Sequence, residues 1–251
     1  MPGDQLIKPD SWSSLKAFTN ARIALGRTGT AVPLNESLQF KLAHAEARDA
    51  VYSVLDTEGL QDGLQHLKIS SYQLHTRARD RMIYLQRPDL GRMLDDASAH
   101  ALEIDAGDYD IAIIIADGLS ATAVNMHAIP LLQLLVPRLI KENISLAPVV
   151  LLQQGRVAAG DEIGSLLRAK LSLMLIGERP GLTSPDSMGA YLTYAPQKGF
   201  TDERRNCISN IRPEGLQYNA ACDKIFYLIK ESLRLKLSGI ELKDNTMLLH
   251  A

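Results

Sequence analysis

The sequence predicts an α/β protein with a Rossmann-like, mostly parallel sheet flanked by helices, and a helical N-terminal segment. Three apolar runs, DIAIIIAD, SLAPVVLLQQ and LSLMLIGE, are each too short and too apolar for anything but a strand buried on both faces. Helical stretches at residues 120–142 and 161–170, the second with Asp161 as a candidate cap, alternate with these runs. Such alternation calls for a parallel sheet with right-handed crossovers.

The first 70 residues have a different pattern, which predicts a helical N-terminal segment over residues 1–70. Residues 34–55 place apolar side chains at steps close to three and four, with Asn35 as a candidate cap. These positions are Leu38, Leu42, Ala45, Val51 and Leu55. A second helix is expected near Thr57. We interpret both as packing or docking helices and assign residues 71–251 to the α/β domain.

After the third run, the sequence predicts a long loop followed by a last amphipathic helix. The loop contains Pro180, Pro185, Pro196 and Pro213. The helix is expected over residues 218–237 and is ended by Ser238 and Gly239.

Composition limits the possible functions. Across 251 residues, 46% are hydrophobic and 22% are charged, which is typical of a soluble globular protein. The net charge of −2, with scattered basic residues, predicts no binding of nucleic acid. The sequence begins with no secretory signal, and no apolar run approaches the roughly 20 residues needed to span a bilayer. We therefore expect a cytoplasmic protein that has no membrane partner.

The metal-ligand residue types are dispersed. Cys207 and Cys222 are too far apart for a paired-cysteine site, and the histidines stand at positions 44, 66, 75, 100, 127 and 250. We expect no metal site, and we interpret His127 as a helix residue with satisfied hydrogen bonds. Phosphate-binding GxxxxGK[ST], dinucleotide-binding GxGxxG after a strand, HExxH and GxSxG are all missing from the sequence.

The ends of the three predicted strands indicate a binding site. In doubly wound sheets, ligands bind in the crevice outside the carboxyl ends of the strands. Residues 117–120, 154–157 and 177–179 follow those ends, and all three loops contain glycine and polar side chains. The sequence therefore predicts a ligand crevice formed by these loops.

Within these loops, the residues alone leave several interpretations open. Asp117 could cap the next helix or accept a hydrogen bond from a ligand hydroxyl. The segment GRVAAGDEIG could admit a large ligand close to its backbone at a helix N-terminus, or it could be a short connection. Glu178 could accept from ligand hydroxyls or amides, or pair with Arg179 or a neighbouring helix. We interpret Cys207 as a packed thiol, in a loop whose composition is typical of interfaces.

Eight segments in order resemble a known family. They are LGRTGT, QFKLAHAEARDAV, RPDLGRML, IADGLSATAV, GRVAAGDEIG, LIGERPGLTSPDSMGAYLTYAP, RNCISNIRPEGL and LSGIELKD. Together, over residues 21–244, they resemble the light (small) chain of adenosylcobalamin-dependent ethanolamine ammonia-lyase.

The resemblance implies a lyase that converts ethanolamine to acetaldehyde and ammonia by radical chemistry. In that family the large (heavy) subunit binds ethanolamine and carries the catalytic residues, so none is expected in this chain. The light chain supplies part of the cobalamin pocket at the subunit interface. Carried over residue by residue, the family's cobalamin contacts are Val157, Glu178 and Cys207, and for Cys207 this replaces the packed-thiol interpretation. The sequence lacks DxHxxG, which fits a cofactor that keeps its own lower base.

The resemblance also implies a hetero-oligomer that is inactive without its large subunit. Before LGRTGT this chain has 24 residues, fewer than the leading segment that some members use for packaging into a bacterial microcompartment, so packaging stays open. The alternative function is a stand-alone α/β ligand-binding or adaptor module that uses the same strand-end crevice.

Overall fold

A computed structural model of the chain, describing residues 7–104 and 106–243, contains one six-stranded sheet. The strands are β1 (Ser71–His75), β2 (Ile111–Ala116), β3 (Val149–Gln153), β4 (Leu171–Gly177), β5 (Met188–Tyr194) and β6 (Arg205–Ile211). Their order across the sheet is β1-β3-β2-β4-β5-β6, and the first four of that order are parallel. Strands β5 and β6 extend the sheet in antiparallel fashion. The predicted α/β class with a mostly parallel sheet is confirmed.

Seven α-helices accompany this sheet in the described ranges. They are α1 (Leu34–Tyr52), α2 (Thr57–His66), α3 (Arg81–Gln86), α4 (Asp96–Ile104), α5 (Ala121–Lys141), α6 (Ala159–Leu166) and α7 (Tyr218–Leu235). Short 3-10 turns occupy Ser13–Phe18, Leu90–Arg92, Asp202–Arg204 and Gly239–Glu241. Parts of both predicted domains lie outside the described residues. They are residues 1–6, Asp105, and residues 244–251, which include His250.

The central strand β2 is buried on both faces, and its residues alternate between two cores. Ile111, Ile113 and Ile115 face a core that includes α2, α5 and α7. Ala112, Ile114 and Ala116 face a second core that includes α4 and α6. This alternation follows from the two-residue period of a strand, and the unbroken apolar run follows from burial on both sides.

The chain leaves the neighbouring strands β2 and β3 toward opposite faces of the sheet. The loop after β2 leads into α5 in the first core, and the loop after β3 leads into α6 in the second core. Where adjacent parallel strands send their connections to opposite faces, a crevice opens at their carboxyl ends. The fold thus places a crevice where the sequence predicts one.

Gly118 and Gly177 let the loops after β2 and β4 approach closely. Gly118 has a φ of +56°, in the left-handed region, and a Cβ there would overlap the carbonyl oxygen of Gly177. A Cβ on Gly177 would overlap the carbonyl oxygen of Ser120. The Leu119 amide donates to the Gly177 carbonyl at 2.9 Å, which joins the two loops directly.

The predicted long loop after β4 is wrong for residues 188–194 and 205–211, which form β5 and β6. Strand β1 was also not predicted. Only Leu74 is buried in β1, and β6 mixes charged, amide and hydroxyl side chains with its apolar ones, so neither is an apolar run. The four prolines of the predicted loop flank the two strands, where they interrupt no backbone ladder.

Several helix boundaries differ from those predicted, and three of the differences involve caps or buried contacts. Pro33, not Asn35, is the N-cap of α1. Helix α6 begins at Ala159, so Asp161 lies in its first turn, where it is buried and paired with Arg205. Helix α7 ends at Leu235, because Lys236 adopts a left-handed φ of 59°.

The N-terminal helices differ in how they pack. Helix α2 buries Leu60 and Leu64 in the first core. Helix α1 buries only Ala43 and Ala50, while its predicted apolar positions Leu38 and Leu42 are more than half exposed. Helix α2 packs against α5 and β1, which belong to the predicted α/β domain. The division of the chain at residue 70 stays a prediction.

Helix α5 is the single described helix that is long and apolar enough, by length and composition, to cross a membrane. Half of its most apolar window is buried inside the protein. It contains Pro130 and Pro137 and packs between the sheet and α7. This is the environment of a core helix.

We expect Gly177→Ala to destabilise the fold by roughly 1 to 3 kcal/mol, because the new Cβ would overlap backbone that cannot rotate away. Chemical denaturation of both proteins measures the difference. The matched control is Gly160→Ala in α6, where the nearest atom is the flexible Met174 Cε at 3.2 Å. Equal stability of Gly177→Ala and the wild type would show that the two loops are not tightly packed.

Candidate functional site

The loops after β2, β3 and β4 enclose a cavity of about 400 Å³ at the carboxyl edge of the parallel strands. We name it the first cavity. Its lining residues are Tyr84, Gly118, Leu119, Arg156, Val157, Ile176, Gly177, Glu178, Arg179, Tyr191 and Ser209. All three loops predicted from the sequence contribute to it.

Asp117 joins the loop after β2 to the loop after β3. Its buried carboxylate accepts from the backbone amides of Gln154 at 2.9 Å and Gly155 at 3.0 Å. Burial raises the pKa of Asp117, whereas these amides and Arg81 act in the opposite direction. The helix-capping interpretation is wrong, since Ser120 caps α5 by accepting from the Ala123 amide.

Glu178 sits at the end of β4, half-buried in the wall of the first cavity. Its carboxylate accepts from the hydroxyls of Ser187 and Ser209, each at 2.5 Å, and from the Asn210 amide at 3.1 Å. The structure shows no ion pair between Glu178 and Arg179 among the described residues. Glu178 therefore connects β4 to the segment before β5 and to β6 while it faces the cavity.

Tyr84 lies between two guanidinium groups beside the first cavity. The Cζ atoms of Arg81 and Arg156 stand 4.6 and 4.3 Å from the centre of its ring. Its hydroxyl donates to the Gly155 carbonyl at 3.2 Å. Burial raises the pKa of Tyr84 to about 12, so the hydroxyl remains a donor at neutral pH.

Arg81 connects helix α1 to this site. Its Nε donates to the Val51 carbonyl at 2.5 Å, and its Nη1 donates to the Gly118 carbonyl at 2.8 Å. Its Nη2 is buried and has no hydrogen-bond partner in the described structure. No local pattern in the sequence indicates Arg81 or Tyr84, because their roles depend on where the segment after β1 folds.

Two of the three carried-over residues line the first cavity, and the third does not. Val157 and Glu178 both line the first cavity. Cys207 is exposed on β6, opposite Tyr191 in the strand register, and Tyr191 lines the cavity. Partial burial of the sulfur raises the pKa of the Cys207 thiol, while the hydrogen bond with Tyr191 acts in the opposite direction and the charge of Glu178 raises the pKa further. Cys207 thus stands at the rim, one side chain away from the cavity.

A second cavity, of about 680 Å³, lies on the other side of Arg156 and Val157, which line both cavities. We name it the second cavity. It is bounded by the turn that contains Arg92, the start of α6 and the segment of residues 198–202. This cavity was not predicted from the sequence, since its walls come from three separate parts of the chain.

His127 is a buried residue of α5, but the prediction that its hydrogen bonds are satisfied is wrong for one ring nitrogen, because Nε2 has no hydrogen-bond partner in the described structure. Its Nδ1 is 2.7 Å from the hydroxyl of Tyr218, and its Nε2 is 3.4 Å from the Asp186 carboxylate. In the described ranges, no group of three or more His, Cys, Asp or Glu side chains could hold a metal ion.

Comparison with known proteins identifies close relatives. A family model described as "Ethanolamine ammonia-lyase light chain" matches residues 9–243. A protein of Pseudomonas aeruginosa (strain LESB58) named "Ethanolamine ammonia-lyase small subunit" is 54% identical over 93% of this chain and 87% of its own length. A protein of the same name from Xanthomonas campestris pv. campestris (strain B100) is 54% identical over 94% of this chain and 88% of its own length. Another, from Pseudomonas fluorescens (strain SBW25), is 53% identical over 97% of this chain and 90% of its own length.

We expect Asp117→Asn to destabilise the protein by about 1 to 3 kcal/mol, because the carboxamide presents an N–H group to a backbone amide that needs an acceptor. Chemical denaturation monitored by circular dichroism measures the loss. Asp108→Asn, at an exposed position, removes the same charge and serves as the control. A loss of equal size in both variants would contradict the specific role of Asp117.

Proposed function

The chain belongs to the family of ethanolamine ammonia-lyase light chains, and from this membership we propose that it is the small subunit of an adenosylcobalamin-dependent lyase. The lyase converts ethanolamine to acetaldehyde and ammonia. The observation that carries the proposal is the family match over residues 9–243. The crevice at the carboxyl ends of β2, β3 and β4 supports it, since that is where such folds bind ligands.

The residues of the first cavity fit a corrinoid. A corrin ring carries methyl groups and carboxamide side chains around its edge. Val157 and Ile176 offer apolar contact, Glu178 offers acceptors for amide N–H groups, and Arg156 offers donors for amide carbonyls. A complete corrinoid is larger than the cavity of about 400 Å³, which supports a cofactor site shared with the large subunit.

Glu178 acts as an oriented acceptor in this proposal. A carboxylate has about four lone-pair sites, and Ser187, Ser209 and Asn210 occupy three of them. These bonds fix the carboxylate in position, so that a ligand amide meets an acceptor that needs little reorganisation. Cys207 contacts the cofactor from the rim, next to Tyr191.

Adenosylcobalamin supplies the radical chemistry when it is bound. This chain binds and orients one side of the cofactor and excludes water from it. Ethanolamine and the catalytic residues are assigned to the large subunit, so the isolated chain is inactive.

Large apolar side chains exposed near the N-terminus support a partner that covers them. Each is more than half exposed, a larger accumulation than scattered surface residues produce. They are Trp12, Phe18, Val32, Leu34, Leu38, Leu42, Tyr52 and Val54. We assign this surface to the large subunit of a hetero-oligomer in the cytoplasm. Enclosure in a microcompartment stays a prediction.

We expect the chain to capture its large subunit in a pull-down and to form acetaldehyde from ethanolamine only when both subunits and adenosylcobalamin are present. Acetaldehyde formation is the measurement, and each subunit alone is the control. Robust turnover by this chain alone would contradict the proposal. If both chains are folded and the combined sample shows no binding and no activity, the result would favour a stand-alone ligand-binding module.

We expect Glu178→Gln to weaken binding of adenosylcobalamin to the two-subunit complex by roughly five- to a hundredfold, because one carboxylate oxygen becomes a donor. Absorbance titration measures the affinity, and subunit association should be unchanged. The control, Glu231→Gln, removes the same charge from a residue of α7 that pairs with Arg234. Unchanged cofactor affinity in Glu178→Gln would remove Glu178 from the cofactor site.

A further inference from the structure

The second cavity has more basic than acidic side chains in its walls. Arg92, Arg156, Lys198 and Arg205 line it, together with Asp89 and Asp202. Its volume of about 680 Å³ exceeds that of the first cavity. The proposed roles of Val157, Glu178 and Cys207 do not account for this basic surface.

The acidic residues of the second cavity already have basic partners. Asp89 pairs with Arg87 at 2.6 Å, and Asp202 pairs with Arg205 at 2.7 Å. The Lys198 ammonium is likewise compensated, by Glu162 at 3.0 Å. The positive charges that remain are those of Arg92 and Arg156.

Neither Arg92 nor Arg156 has a carboxylate within ion-pair distance among the residues that the structure describes. The Nη2 of Arg156 donates to the Tyr84 carbonyl at 2.9 Å. The stacked ring of Tyr84 fixes the guanidinium in place. A fixed cation without a counter-ion, in the wall of a cavity, favours an anionic ligand.

The backbone at the start of α6 adds donors to the same wall. In the described chain, no acceptor takes a hydrogen bond from the backbone amide of Val157 or Ala158, and Ala158 is the N-cap of α6. Free amides at the N-terminus of a helix attract oxyanions, because the helix dipole adds to their partial charge. These donors and the two unpaired arginines are independent observations that concern one cavity.

We propose that the second cavity binds a phosphoryl oxyanion, with Arg92, Arg156 and the amides of Val157 and Ala158 as its donors. The ligand is a phosphate ester or free phosphate. Because Arg156 and Val157 line both cavities, one molecule can place an uncharged part in the first cavity and its phosphate in the second. In a corrinoid that group is the phosphodiester of the nucleotide arm, and this choice of carrier rests on the proposed function.

The first experiment titrates the full chain with inorganic phosphate and follows the amide resonances of Val157 and Ala158 by NMR. We expect saturable shifts that require about tenfold more phosphate in Arg92→Gln. Arg92 is exposed, so the substitution leaves the fold intact. The control, Arg168→Gln, removes the same charge beyond the other end of α6. Shifts that do not saturate, or that weaken equally in both variants, overturn the oxyanion site.

The second experiment identifies the carrier on the two-subunit complex. Absorbance titration compares adenosylcobalamin with adenosylcobinamide, which lacks the phosphodiester and its nucleotide. We expect Arg92→Gln to weaken binding of adenosylcobalamin by about tenfold and to leave the affinity for adenosylcobinamide unchanged. The Arg168→Gln complex should behave as the wild type does.

The outcomes separate the two proposals. Saturable phosphate binding with no effect of Arg92→Gln on either corrinoid identifies free phosphate as the ligand and rejects the corrinoid as carrier. If the wild-type complex binds phosphate saturably but binds neither corrinoid, the proposed function is contradicted. The proposal of an oxyanion site is then retained. If the complex binds corrinoids but not phosphate, and Arg92→Gln does not weaken corrinoid binding, the oxyanion site is overturned. The proposed function is not affected by that result.

Discussion

The bonds from Asp117 to the amides of Gln154 and Gly155 are the constraint on which the crevice depends. Strands β2 and β3 send their connections to opposite faces of the sheet, so nothing in the helices themselves keeps the two strand ends together. The sheet ladder ends at the pair of Ala116 and Leu152, and the buried carboxylate, which accepts from both amides, joins the two loops beyond that point. It thereby helps to position Arg156 and Val157, the next two residues, between the cavities.

A second set of contacts extends this constraint to the rest of the site. Glycine at 118 and 177 brings the loop after β4 against the loop after β2, and Glu178 follows immediately with bonds to β6. On the other side, Arg81 reaches from the Gly118 carbonyl to the end of α1. The crevice, the antiparallel edge and the exposed N-terminal helix are thus connected by hydrogen bonds, which suits the proposed cofactor site shared with another subunit.

The sequence predicted the parts of the fold that depend on local pattern. Strands β2, β3 and β4 are continuous apolar runs because they are buried on both faces, and their ends correctly located the loops with Val157 and Glu178. Strand β5 was missed although it is mostly buried, because glycine, threonine and tyrosine interrupt its apolar residues, and β6 was missed because its partly exposed residues mix polar and apolar types. The partners of Glu178 were missed for the same reason, since Ser209 and Asn210 lie on β6. The stacking of Tyr84 depends on tertiary structure that no local pattern encodes.

The raised pKa of Cys207 has a consequence for the chemistry of the exposed rim. Alkylating agents and peroxides react with the thiolate, and their rates follow the thiolate fraction. A raised pKa lowers that fraction, so a thiol of this kind is accessible to solvent yet slower to react than an ordinary exposed cysteine. The sulfur atom of Cys207 can therefore stand at the edge of the crevice, in contact with solvent, and resist oxidation better than an unperturbed surface thiol would.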